Sequence, residues 1–177
     1  MSTNTDIAIF LEKQIKIWKD SNNAHLIIGL EGPSGCGKST ITNALKNAKG
    51  ITLINADKYL LPLNTRLEKL SKTKPVTKTY REYWYDKEAL VYTLSQIGDQ
   101  EIILIEGMFL KWITGEIIDK LVRIEIAPDL LLGYREKKCR KYTYSQLESM
   151  GDLYYLCDKA WEDYCAEYKP NMIIETA

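Results

Sequence analysis

Gly32-Pro33-Ser34-Gly35-Cys36-Gly37-Lys38-Ser39-Thr40 constrains this chain more than any other stretch. It fits G-x-x-x-x-G-K-[ST]; an apolar run, Leu26 to Leu30, enters it, and a helical pattern, Ile41 to Leu45, leaves it. Glycines let bare backbone N–H groups approach phosphate oxygens and adopt positive φ, and the following helix N-terminus adds partial positive charge. Lys38 can then reach the β- and γ-phosphates, and the Ser39 hydroxyl can ligate Mg2+. The stretch from Gly32 to Thr40 is therefore expected to bind a nucleoside triphosphate, with ATP and Mg2+ as cofactors.

At 177 residues the chain has the size of one domain. Its 24 basic and 24 acidic side chains cancel, so charge gives no argument for a nucleic-acid or anionic-membrane partner. No apolar stretch approaches a membrane span, and Asp6 and Glu12 spoil a signal-peptide reading of the N-terminus. The cysteines, Cys36, Cys139, Cys157 and Cys165, form no C-x-x-C pair, which points away from zinc and disulfides and suits a cytoplasmic protein. His25, the single histidine, stands at the mouth of the first strand, so histidine-based catalysis is not expected.

Residues 1–24 form a leading helix, with Ile7, Ile9, Phe10, Leu11, Ile15, Ile17 and Trp18 as its apolar stripe. Further strands are predicted at Ile51–Asn55, Glu101–Gly107, Leu121–Ile126 and Met172–Ile174. Between them lie helices at Asp86–Ile97, from Pro128 into Lys138, and Leu153–Tyr168. Residues 60–85 are read as an irregular excursion, because Pro62, Pro75 and interspersed Lys and Thr break the period. Short, nearly continuous apolar strands alternating with helices mean an α/β fold: a five-stranded parallel sheet in three layers, with a small lid at residues 135–150. Ligands of such sheets bind at the carboxyl ends of the strands.

Residues just past those ends carry the candidate chemistry. Asp57 follows the second strand and could accept the proton of an attacking hydroxyl, or serve as a turn aspartate or helix cap. Glu106 closes the most apolar strand and could hold Mg2+, the alternative being a strand-end turn. Arg135, Lys137, Lys138, Arg140 and Lys141 form a basic cluster. It would neutralise charge on transferring phosphate, or simply answer a helix macrodipole; Arg135 is the best single candidate. In Tyr80-Arg81-Glu82-Tyr83-Trp84-Tyr85-Asp86, aromatic faces could clamp a flat group while carboxylates take hydroxyls, or the stretch could anchor the preceding loop.

Together these segments resemble the uridine kinase and nicotinamide riboside kinase group of P-loop small-molecule kinases. Beyond the loop, Asp57-Lys58-Tyr59 is similar to the group's D-x-[FY], Tyr85-Asp86 to Ala89-Leu90 to its [FW]-D-x-P-E-A-L, Glu106 to Leu110 to its E-G-[IF]-L, and the Arg135 helix to its R-x-x-R-R lid. The resemblance implies a kinase that moves the ATP γ-phosphate to a hydroxyl of a small molecule, such as a nucleoside or ribose-like compound. Lys38, Asp57 and Arg135 would be catalytic, Ser39 and Glu106 would meet magnesium, and Asp57, Tyr59, Arg81, Tyr83, Trp84 and Asp86 would line the acceptor site. The chain departs from the pattern in that acceptor region: the stretch after Asp86 is one residue shorter and lacks the proline. Alternatives are a kinase of this fold for a vitamin precursor, sugar or nucleoside monophosphate, or a regulatory NTPase. The last is disfavoured by the absence of N-K-x-D and L-S-G-G-Q-like segments.

Overall fold

The structure, a computed structural model, describes residues 3–21, 25–62, 64–66, 68, 77–98, 102–139 and 144–176. Strands β1 (Leu26–Glu31), β2 (Ile51–Asn55), β3 (Ile102–Gly107), β4 (Lys120–Ile126) and β5 (Met172–Thr176) form one parallel sheet ordered β2-β3-β1-β4-β5. The predicted α/β class and strand number are those observed. Register aligns Asn55 and Leu30 with Glu106, and Glu31 with Gly107 and Arg123, so the informative residues share one sheet edge.

Strand alternation sends neighbouring side chains to opposite faces. Leu26, Ile28, Leu30, Leu104, Val122 and Ile124 pack under α1 (Asn4–Ser21) and α2 (Lys38–Ala44). Ile27, Ile103, Ile105 and Leu121 face α3 (Thr77–Glu82), α4 (Lys87–Ser95), α5 (Leu110–Thr114) and α7 (Tyr144–Glu167). Helix α6 (Pro128–Cys139) follows β4. No helix among the described residues is long and apolar enough to cross a membrane.

Four local expectations are corrected. On α1 only Ile7, Ala8, Leu11 and Ile15 are buried, whereas Ile9, Phe10 and Ile17 are at least half exposed, because residues two or six positions from a buried one turn away on a 3.6-residue helix. The excursion is not irregular throughout: residues 64–66 are helical, and α3 packs against α7. Its ends are joined by an antiparallel bridge between Leu60 and Tyr85, where Leu61 N–H donates to the Trp84 carbonyl (3.1 Å) and Asp86 N–H to the Tyr59 carbonyl (2.7 Å). Helix α5 is too short to show a period, and α7 begins nine residues before the Leu153 expected of it.

A buried polar network crosses the second face. Glu31, fully buried, accepts from Arg123 Nε (2.9 Å) and Nη2 (2.7 Å) and from the Tyr164 hydroxyl (2.6 Å). The Tyr164 oxygen in turn accepts from Lys111 N–H (3.0 Å), and Arg123 Nη2 also reaches the Tyr168 carbonyl (2.7 Å). Burial pushes the Glu31 carboxyl up, while Arg123 and Tyr164 pull it down. Replacing Arg123 by Leu strands a buried carboxylate and is expected to lower unfolding free energy in urea by about 3–5 kcal/mol; Glu31→Leu with Arg123→Leu should recover most of it.

Candidate active site

The loop from Gly32 to Gly37 leaves β1 and enters α2 with the conformations its glycines permit. Gly35 (φ 96°) and Gly37 (φ 94°) are left-handed. At Gly32 the constraint is space: a Cβ would lie 2.6 Å from Cys36 Sγ and 3.0 Å from the Ile124 carbonyl. Gly37 opens α2 with no side-chain cap, and Thr40 N–H closes the first turn on the Gly37 carbonyl (3.0 Å). Lys38 Nζ donates to the carbonyls of Gly32 (2.8 Å) and Pro33 (2.9 Å). Its ammonium therefore already lies across the loop.

Glu106 ends β3 on the α2 side and is 6% exposed; its Oε2 has no hydrogen-bond partner. Burial pushes its carboxyl up from the ordinary range, and the Ser39 hydroxyl and Lys38 ammonium offset this only in part. An unpartnered carboxylate oxygen beside a serine hydroxyl is an oxygen donor set that suits a hard divalent cation. Asp57 stands in the 3-10 turn Ala56–Tyr59 after β2, where Asn55 Oδ1 caps its N–H (2.7 Å). The carboxylate is exposed, and its Oδ1 lies 3.4 Å from the Tyr85 hydroxyl, a long contact. That hydroxyl accepts from Met108 N–H (3.0 Å), two residues past Glu106, and a Cβ on Gly107 would come within 3.2 Å of it. Phe109 then turns the chain at φ 56°, strained for an aromatic residue, with its ring buried against Trp161 and Tyr164. Lys38, Ser39, Asp57 and Glu106 thus share one edge of the sheet.

Arg135 reaches the loop from α6. Its Nε donates to the Ser34 carbonyl (2.9 Å), and its Nη1 and Nη2 form a bidentate pair with Asp158 of α7 (2.6 and 2.7 Å). Lys137 is exposed over the Tyr134 ring, while the side chain of Lys138, and Arg140 and Lys141, lie outside the described residues. Of the acceptor candidates, Tyr59 gives its hydroxyl to Thr93 (3.0 Å), and Asp86 caps α4 through Ala89 N–H (3.0 Å). Arg81 is buried and ion-paired with Glu167 (2.9 Å). Trp84 stacks on Tyr80 (4.9 Å between centroids), with the Arg66 guanidinium 4.6 Å from its ring, and Tyr83 is half-buried beside it in sequence.

Sequence reading missed Glu31, Asp158, Tyr85 as a partner of Asp57, and Arg66. Glu31 did carry a signal, a charge closing an otherwise apolar strand.

The Glu106 environment generates a pH dependence. A carboxyl raised in the folded state contributes stability that is intact below the ordinary glutamate range and is lost as pH rises through its folded value. Glu106→Gln is spared that loss, so its melting temperature without metal should exceed the wild type's at pH 8, and the gap should close towards pH 4.5. Calorimetry at the two pH values checks this; a gap independent of pH would assign the effect to packing.

No protein-family model matches the sequence, and no curated protein is detectably similar to it. Solved structures share its fold. A D-glycerate 3-kinase from Cryptococcus neoformans var. grubii superposes with TM-score 0.62 at 13% identity, covering 99% of this chain and 96% of that one. A gluconokinase from Sinorhizobium meliloti gives 0.55 at 19%, over 86% and 83%. A protein from Bacillus stearothermophilus described as a possible uridine kinase gives 0.54 at 16%, over 93% and 98%. At these identities the likeness is one of fold. These three neighbours are named as kinases, or a possible kinase, of small molecules.

Proposed function

We propose that this chain is a kinase that transfers the ATP γ-phosphate to a hydroxyl of a small molecule. The observation that carries the reading is the convergence of Lys38, Ser39, Asp57 and Glu106 at the carboxyl edge of β1, β2 and β3. Lys38 would exchange its two loop carbonyls for phosphate oxygens. Ser39 and Glu106 would hold Mg2+, which when bound neutralises charge on the phosphates. Asp57 would orient the acceptor hydroxyl and take its proton as the oxygen attacks, with the Tyr85 hydroxyl restraining the carboxylate. Arg135 would add positive charge on the loop side, where Asp158 fixes its plane.

The acceptor site is assigned to the segment between Leu60 and Tyr85, whose neck closes beside Asp57. Motif resemblance favours a nucleoside or ribose-like acceptor. The neighbours named for D-glycerate and gluconate support a second reading, a hydroxy acid. A regulatory NTPase would need no such segment next to the putting-in point of a nucleophile.

A panel of hydroxyl compounds assayed by ADP release tests the proposal: turnover dependent on one acceptor is expected, and hydrolysis indifferent to every acceptor would refute it. Lys38→Ala should lower turnover by about 10³-fold or more with the fold intact. Asp57→Asn should lower it by about 10²–10⁴-fold while ATP affinity stays within a fewfold. Loss of ATP binding in that variant would make Asp57 a nucleotide or metal ligand instead.

A further inference from the structure

Among the described residues, the buried side-chain polar atoms without a hydrogen-bond partner are His25 Nδ1, Glu106 Oε2, Arg66 Nε, Arg81 Nε, Arg81 Nη1 and Trp84 Nε1. Glu106 Oε2 belongs with the cation site. The four nitrogens of Arg66, Arg81 and Trp84 all lie in the segment between Leu60 and Tyr85, and every one is a donor. An arginine cannot shed its proton, so a buried N–H of this kind is a standing cost until an acceptor reaches it. Native chains leave few such groups, and a concentration of one polarity in one segment calls for a partner of the opposite polarity.

Their placement is close to the proposed base. The Arg66 guanidinium and the Tyr80 ring both stack on Trp84. The Trp84 indole packs edge-on against Tyr85 (6.5 Å between centroids), and the Tyr85 hydroxyl faces Asp57. On the other side, the Tyr80 hydroxyl feels the charges of both Arg66 and Asp158, and Asp158 is the residue that fixes Arg135 on the phosphate loop. Trp84 thus neighbours the Tyr85 ring whose hydroxyl faces Asp57, and Arg66 stacks on Trp84. Arg81, three residues before Trp84 and 3% exposed, has only Nη2 occupied, by Glu167.

We infer that the acceptor is an anion, a hydroxy compound whose carboxylate or phosphate ester is held by Arg66 and the Trp84 N–H, with Arg81 adding a second fixed positive charge. The inference rests on the kinase reading and names its substrate class. Arg81 already has Glu167 as a counter-charge but keeps Nε and Nη1 unpartnered, and Arg66 keeps its Nε; an anionic group answers both the charge of Arg66 and these open hydrogen bonds. Its hydroxyl would then be presented to Asp57 from a fixed anchor, which is how a remote charged group contributes to positioning.

The experiment compares hydroxy acids (D-glycerate, D-gluconate), sugar phosphates (glycerol 3-phosphate, ribose 5-phosphate) and neutral counterparts (glycerol, glucose, ribose, uridine). ADP release reads turnover, and calorimetric titration with a non-hydrolysable ATP analogue present reads binding without it. One anionic class should bind and react, its neutral counterparts should be at least about tenfold poorer in kcat/KM, and the two anionic arms separate carboxylate from phosphate. Arg66→Gln should raise the acceptor KM about tenfold or more while the ATP KM stays within twofold, and Arg66→Lys should recover part of the loss. Trp84→Phe, which keeps an aromatic ring but removes the N–H together with the five-membered half of the indole, should weaken the acceptor fewfold and serves if Arg66→Gln does not fold. A neutral acceptor preferred and unaffected by these variants, or no anion bound at millimolar concentration, would overturn the inference. So would loss of ATP-analogue affinity in Arg66→Gln, which would give the donors to the triphosphate. Anion binding with no turnover of any compound would instead refute the kinase reading and leave the anion site standing.

Discussion

A guanidinium and a carboxylate buried within the sheet, Arg123 against Glu31, hold the start of the Gly32–Gly37 loop in place. Glu31 is the residue before Gly32, so whatever fixes its side chain fixes where the loop leaves the strand. Two charges removed from water are costly unless their geometry is good and their remaining lone pairs are used. Here Tyr164 uses one of them, and through it α7 is tied to β1 and β4 at a single point. The same helix carries Asp158 six residues earlier, and Asp158 holds Arg135 against the Ser34 carbonyl. One helix thus braces both the strand end and the loop. Hydrophobic burial alone is non-directional and would not specify that alignment.

Polarity around the loop is divided unevenly. Lys38 and Arg135 are satisfied within the protein, the first by loop carbonyls and the second by Asp158 and Ser34. Glu106 on one side and the donors of Arg66, Arg81 and Trp84 on the other are not. A fold that maximised its own stability would pair or remove these groups, and natural chains break such rules where a ligand is to complete them. On the proposed kinase reading the loop cations would change partners when phosphate arrives, whereas the unpartnered groups have nothing to release.

The sheet was legible because its strands are buried on both faces and run almost continuously apolar, and the loop because its glycines sit at fixed intervals. Asp57 just past β2 and Glu106 near the end of β3 stood out in sequence as carboxylates bordering apolar strands. What escaped has a common cause: it depends on residues far apart in sequence. Glu31 meets Tyr164 across 133 positions and Arg135 meets Asp158 across 23, and no local period records either pairing. Ile9 and Phe10 misled for the opposite reason, since an apolar residue on a helix need not face the core. Asp86 carried two readings in sequence, and its side chain is engaged as a helix cap.

The bridge between Leu60 and Tyr85 separates two kinds of chain. On one side of it the residues belong to strand ends and cannot move without disturbing the sheet. On the other, the chain leaves and returns through the same pair of backbone hydrogen bonds, and lengthening such a closed loop twofold costs only about 0.6 kcal/mol in closure entropy. Insertions or wholesale replacement between Pro62 and Thr77 would therefore be tolerated by the scaffold. Descendants of one such chain could acquire new chemistry at that mouth by splicing, with Lys38, Asp57 and Glu106 inherited unchanged.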